Sequence, residues 1–159
     1  MRKTHEAVKV KGIAKLLLMN VKTGKIDGYR EVENVITQLG FQQFIVYGIH
    51  ANLSSAGLKI SHGALSSRIA ACSSSQTNLI GETTDAREEV TGTLVGDGTC
   101  QSVWSYSVSK ATDAAGIGNL GLFNSSSEGV LFACASFDVS TKTTDQTLAI
   151  TYQQRFAGA

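Results

Sequence analysis

Lysines and apolar residues alternate through Val8-Lys-Val-Lys-Gly-Ile-Ala-Lys15, and the run continues as Leu16-Leu-Leu-Met-Asn20. A period of two marks a strand with one solvated face, so a long strand is predicted here. Lys22-Thr-Gly-Lys25 then supplies a turn, with Gly24 free to take a left-handed position. Ile26 to Ile36 returns as a second strand and completes an N-terminal hairpin. Thr37 is placed to cap a short helix over Leu39 to Val46, where Phe41, Phe44 and Ile45 fall at helical spacing. No other stretch reads as a helix.

Beyond a Ser/Gly break at 54–57, Leu58 to Ala64 is strand-like. The polar stretch from Ser66 to Asp85 has no clear period. It reads as a loop with one short strand near Ala70, or as a segment that orders against a neighbour. Strand character resumes from Arg87 to Val95 and turns at Gly96-Asp97-Gly98, a good hairpin signal. The returning strand sets Cys100, Ser102, Trp104, Tyr106 and Val108 on one face. Leu120, Leu122 and Phe123 precede a Ser-rich turn from Asn124 to Gly129, and Val130 to Phe137 forms the next strand. Leu148, Ile150, Tyr152, Gln154 and Phe156 alternate along the last one. About eight short strands with one helix predict an all-β fold, a single β-sandwich or jelly-roll-like domain. Its expected extent is 13–159, preceded by a basic N-terminal arm of residues 1–12.

Composition sharpens this picture. Only 17% of the 159 residues are charged, against roughly 25% in an average soluble chain, while 42% are hydrophobic. Disorder needs the opposite balance. The longest aliphatic run near the N-terminus, Leu16 to Met19, is far short of a membrane span, and lysines interrupt any secretory signal. Net charge is +1, yet half the basic residues lie before Ile26: Arg2, Lys3, Lys9, Lys11, Lys15, Lys22 and Lys25, against Glu6 alone. Because Lys9 to Lys15 alternate with apolar residues, this run reads as a solvated strand face rather than a nucleic-acid site. A basic arm docking on an acidic protein surface is the preferred interpretation, with Arg2, Lys3, Lys9 and Lys11 as candidate partner-binding residues.

Motifs for chemistry find little support. Gly116-Ile-Gly-Asn-Leu-Gly121 fits G-x-G-x-x-G, but neither a preceding strand nor a following helix frames it, so a bulge or close strand approach is expected instead. His5, His50 and His62 are far apart; His62 is expected to be a hydrogen-bonded, partly buried strand residue. Glu88 and Glu89 are adjacent, and on a strand they point to opposite faces. No nucleophile elbow occurs. The chain therefore reads as no enzyme, with no cofactor and no metal site. Cys72, Cys100 and Cys134 are odd in number and widely spaced, so buried free thiols in a reducing cytoplasm are expected. Asn52 and Asn124 open glycosylation sequons that stay idle without secretion.

A resemblance joins these segments. Glu31-Val-Glu-Asn-Val-Ile-Thr-Gln-Leu-Gly-Phe41 resembles the "E-N-x-(V/I)-T-x-x-G" start of small tailed-bacteriophage virion proteins. Ile60-Ser-His-Gly-Ala-Leu65 resembles their "I-S-H-x-A-L-G" strand, with Ser66 in place of the glycine. Ile117 to Asn124 resembles "I-x-E-A-G-L-F-N", departing at Asn119 and Leu120. Gly129 to Ala135 resembles "G-x-L-F-A-R-A", with Cys134 in place of arginine. Lys142 to Tyr152 resembles "K-T-x-x-D-x-L-x-V-T-W". The blocks keep their order over residues 31–156. The resemblance implies a structural protein of the virion, assembled in the host bacterial cytoplasm. A capsid decoration or cement protein on the major capsid protein is the favoured form, as a homotrimer or other homo-oligomer. A tail, baseplate or fibre accessory protein would share every motif, and a host-glycan binding module would use Trp104 or Tyr106 as a stacking surface.

Overall fold

The computed structural model describes residues 9–46, 58–68, 70–83, 87–96, 98–112 and 116–157. They form nine strands: β1 (Lys9–Asn20), β2 (Ile26–Ile36), β3 (His62–Ser66), β4 (Glu88–Glu89), β5 (Thr91–Gly96), β6 (Thr99–Tyr106), β7 (Ile117–Phe123), β8 (Leu131–Ser140) and β9 (Gln146–Ala157). One short helix, α1 (Gln38–Gly40), widens into a π-helical segment (Phe41–Val46). The all-β expectation holds, and the alternation that predicted β1, β6 and β9 is the alternation that buries one face of each.

All pairings are antiparallel, in the order β4-β3-β7-β8-β2-β1-β9-β6-β5. Two segments fold this ribbon into a sandwich. β2 pairs with β1 as far as Ile13↔Glu33 and with β8 from Asn34↔Ala135 to Ile36↔Ala133, so it belongs to both layers. At the other margin β4 pairs with β3 while β5 pairs with β6, and the chain changes layer at Val90. The Val90 N–H donates to Ser61 O at 2.8 Å. The single strand expected from Arg87 to Val95 is thus two strands in different layers, because the sheet nearly closes at that point. Of the residues expected in the arm, 9–12 are part of β1 and pair with β9, Lys9 opposite Ala157. Residues 1–8 lie outside the described residues.

Ala14, Leu16 and Leu18 of β1 lie beside Leu148, Ile150 and Tyr152 of β9 and, beyond these, Trp104 and Tyr106 of β6, and all join one core cluster with the inward rows of β7 and β8. Layer spacing is set locally by Gly63 on β3. A Cβ there would overlap the Trp104 indole, and the Tyr106 hydroxyl donates to Gly63 O at 3.1 Å. Thr37 caps α1 as the sequence predicts: its hydroxyl accepts from the Gly40 N–H at 2.9 Å and donates to Leu131 O at 2.6 Å. Phe44 then packs on Phe132 with ring centroids 5.0 Å apart.

Every residue of β7 is buried, which one core cannot do for an alternating strand. The polar stretch supplies the second cover. Residues 70–83 cross the outer face of β7 and β8 as a strap, burying Leu79 with Phe123, Leu131 and Cys134. Asn119 of β7 accepts from the Ala70 N–H at 3.3 Å and donates to Ala70 O at 2.7 Å; Ser136 of β8 donates to that same carbonyl at 2.7 Å. At its far end Arg87 forms a two-point pair with Glu82, at 2.6 and 2.9 Å, and stacks 3.5 Å over the Phe123 ring. Such a fork–fork pair under an aromatic face fixes geometry as well as charge. Register shifts towards both ends of the β7–β8 pairing, the first of them at Gly118, bear out the bulge expected around the glycines of β7.

The cysteine expectation is overturned. Cys72 of the strap is disulfide-bonded to Cys134 of β8, and only Cys100 is free among the described residues. A spacing of 62 residues conceals the pair until the strap folds back. Burial pushes the Cys100 thiol up from its ordinary value.

Three outcomes test this packing. Gly63→Ala is expected to cost about 3 kcal/mol in urea unfolding, the upper end for overpacking a rigid core. Unreduced native protein should present one slowly reacting thiol to a chromogenic disulfide reagent, and three after reduction in denaturant. Cys72→Ser should lower stability by about 4 kcal/mol, the loop-entropy value for a closure of this length.

Candidate functional site

Where β2 leaves β1 the two strands diverge and a cleft of about 700 Å³ opens. Its walls are Val10, Lys11, Gly12 and Ile13 of β1, Glu33 and Asn34 of β2, Thr99 of β6, and Gln153 and Arg155 of β9. A smaller hollow of about 340 Å³ adjoins it through Val10 and reaches Ile36, Thr37, Gln38 and Phe41. Among the described residues, residues 9–12 have a partner strand on the β9 side and none on this side. An unpaired stretch of edge therefore lies along the cleft.

The floor depends on Gly12. A Cβ at that position would overlap the Asn34 carboxamide, which lies across β1 and donates from Nδ2 to the Tyr152 hydroxyl. Tyr152 is fully buried. Burial holds its hydroxyl well above the ordinary tyrosine range, because the phenolate would lose its water; the Asn34 bond pulls the other way. Next along β9, Gln154 is also buried, and its Nε2 has no hydrogen-bond partner among the described residues. This end of the interior is polar where the other end is aliphatic.

The rim is cationic. Arg155 stands opposite Lys11 on β1 and opposite Thr99 on β6, and both Lys11 and Arg155 are exposed. Like charges directly across a ladder repel. Among the described residues neither one has an ion-pair partner, although Glu33 lines the same cleft. Four residues along β1 the charge is compensated: Lys15 pairs with Glu31 at 3.6 Å. Glu31 is held below the usual carboxylate range, first by the Tyr29 hydroxyl that donates to it at 2.7 Å and then by Lys15.

Of the sequence-predicted partner residues, Lys11 lies on this rim and Lys9 lies two residues earlier on β1. Arg2 and Lys3 fall outside the described residues, as do His5, His50 and Asn52. Arg155 was not among the candidates. Its neighbours on the chain, Gln153, Gln154 and Phe156, carry no charge pattern, and only the β1–β9 register brings it beside Lys11.

Other candidates resolve as structure. Trp104 and Tyr106 are 3% and 1% exposed, so the stacking surface of a glycan module is core. His62 is half-buried, its Nδ1 2.8 Å from the Ser61 hydroxyl. Glu88 pairs with Lys110 while Glu89 faces solvent, as opposite faces of a strand require. Lys142, of the last resembled block, is buried with its ammonium donating to Lys110 O at 2.7 Å and Val108 O at 3.2 Å. Among the described residues no His, Cys, Asp and Glu group could hold a metal ion, and no helix is long and apolar enough to cross a membrane. No protein-family model, no curated protein and no solved structure matches the chain.

The Tyr152 environment gives a pH signature. Unfolded tyrosine ionises near pH 10 while native Tyr152 keeps its proton, so stability should fall above roughly pH 10 by about 1.4 kcal/mol per pH unit from this group. Urea unfolding between pH 9 and 11 reads the slope, and Tyr152→Phe should remove that share of it.

Proposed function

We propose that this chain is a non-enzymatic structural protein of a tailed-bacteriophage virion, a decoration or cement protein on the capsid shell. The class rests on the five resembled blocks between Glu31 and Tyr152, which keep their order through β2, α1, β3, β7, β8 and β9. The observation that carries the mode of action is the uncompensated Lys11–Arg155 pair at the mouth of the cleft. Two cations held opposite each other without a counter-charge are stabilised by an anionic group placed between them. The unpaired edge at residues 9–12 offers backbone groups to an extended segment beside that charge.

The partner is then an acidic, extended segment of the major capsid protein or another virion protein. Binding of that kind stabilises the assembled state by mass action and needs no chemistry from the decorating chain. The Cys72–Cys134 disulfide fits the same setting, since a particle released from the reducing cytoplasm meets conditions in which such bonds persist.

Quantitative mass spectrometry of purified virions against the major capsid protein tests the class, and near-equal copy number is the expected result. A few copies per particle would move the chain to the tail, and none would remove it from the virion. Lys11→Glu combined with Arg155→Glu tests the mode. Both residues are exposed, so the variant should fold normally yet bind particles at least tenfold more weakly, and wild-type binding should weaken with added salt.

A further inference from the structure

The nearly closed sheet ends at two edges, and they are built differently. β4 is two residues long and both are glutamate, which blunts it against further pairing. β5 has six residues, Thr-Gly-Thr-Leu-Val-Gly, without a charge or a proline. Among the described residues it pairs with β6 on one side only, and all six of its residues are exposed. Leu94 is 81% exposed and Val95 48%. A Cβ added at Gly92 or Gly96 would meet nothing within 4 Å. Among the described residues this is the longest strand open on its edge and on both faces.

We infer that β5 pairs antiparallel with β5 of a second copy of this chain, making a two-fold dimer in which the sheet runs on from one protomer to the other. The inference rests on this edge alone and not on the virion reading. Successive side chains of a strand point to opposite faces, so Leu94 and Val95 expose apolar surface on both sides of the ribbon. A helix or groove would cover one of them; an added strand flanks both. The identity of that strand follows from charge. In antiparallel two-fold pairing residue i of one copy faces residue j of the other and j faces i, so every cross-strand partner comes from β5 itself and only a residue at the axis meets its own copy. β5 carries no charge, whereas Arg87, Glu88 and Glu89 before Val90 and Asp97 after Gly96 are charged. Pairing of β5 with itself therefore sets no like charges opposite each other in any register confined to these six residues. Six residues make a small contact, so the dimer is a weak one that dissociates on dilution.

Sedimentation equilibrium of the full chain from micromolar to millimolar concentration provides the test. The expected result is a reversible monomer–dimer equilibrium, shifted to monomer at least tenfold by Leu94→Lys with no change in thermal midpoint. In a Cys100→Ser background, Thr93→Cys should cross-link into dimers on mild oxidation, since a residue near the two-fold axis meets its own copy. A monomer at every concentration overturns the inference. So does a dimer that Leu94→Lys leaves intact, or a closed trimer, because two-fold edge pairing cannot build one.

Discussion

β2 lies between β1 and β8 in the strand order, and it hands over from β1 to β8 between Glu33 and Asn34. That exchange turns a long antiparallel ribbon into two facing layers. It also leaves the start of β1 without a neighbour on one side among the described residues, and there the cleft opens. The exchange is held by a small set of atoms. Gly12 leaves room above β1, Asn34 fills it, and the Asn34 amide reaches the hydroxyl of buried Tyr152. Any side chain at position 12 would have to displace the amide that holds the layers at this corner. The cationic rim is a by-product of the same geometry, since Arg155 and Lys11 face each other on strands that extend past the point where β2 departs.

The second layer carries its own constraint. β7 lies between two apolar clusters, so a cover is required on the outer face of β7 and β8. The strap meets that need with few hydrophobic residues and compensates through polar anchors, at Asn119, Ser136 and Arg87, and through the bond to Cys134. Two of these anchors coincide with the positions at which the chain departs from the resembled virion motifs, Asn119 and Cys134. Both side chains lie under the strap, so the departures exchange one way of tying down this surface for another.

Alternation made β1, β6 and β9 legible, because each has one face in the main core and one outside it, while β2 was legible as the return of a hairpin. Thr37 was legible as a cap because capping is local chemistry. What escaped depends on residues distant in sequence. The change of layer at Val90 is invisible in a run that reads as one strand. Cys72 and Cys134 look unrelated until the strap returns over β8, and a polar composition concealed that residues 70–83 cover a core. Arg155 acquires its meaning from a neighbour at the far end of the chain. The basic character of the site was readable from Lys9 and Lys11, but the cleft that gives it shape was not.

The pairing of β1 with β9 also imposes an order in time. On the ribosome the β1–β2 hairpin emerges more than a hundred residues before the strand that completes it. Throughout that interval the apolar row of Ala14, Leu16 and Leu18 has neither its facing layer nor its central neighbour. Non-local pairing of this kind delays the cooperative step until synthesis is nearly finished. The lysines spaced along the opposite face of β1 then keep a nascent hairpin soluble while it waits.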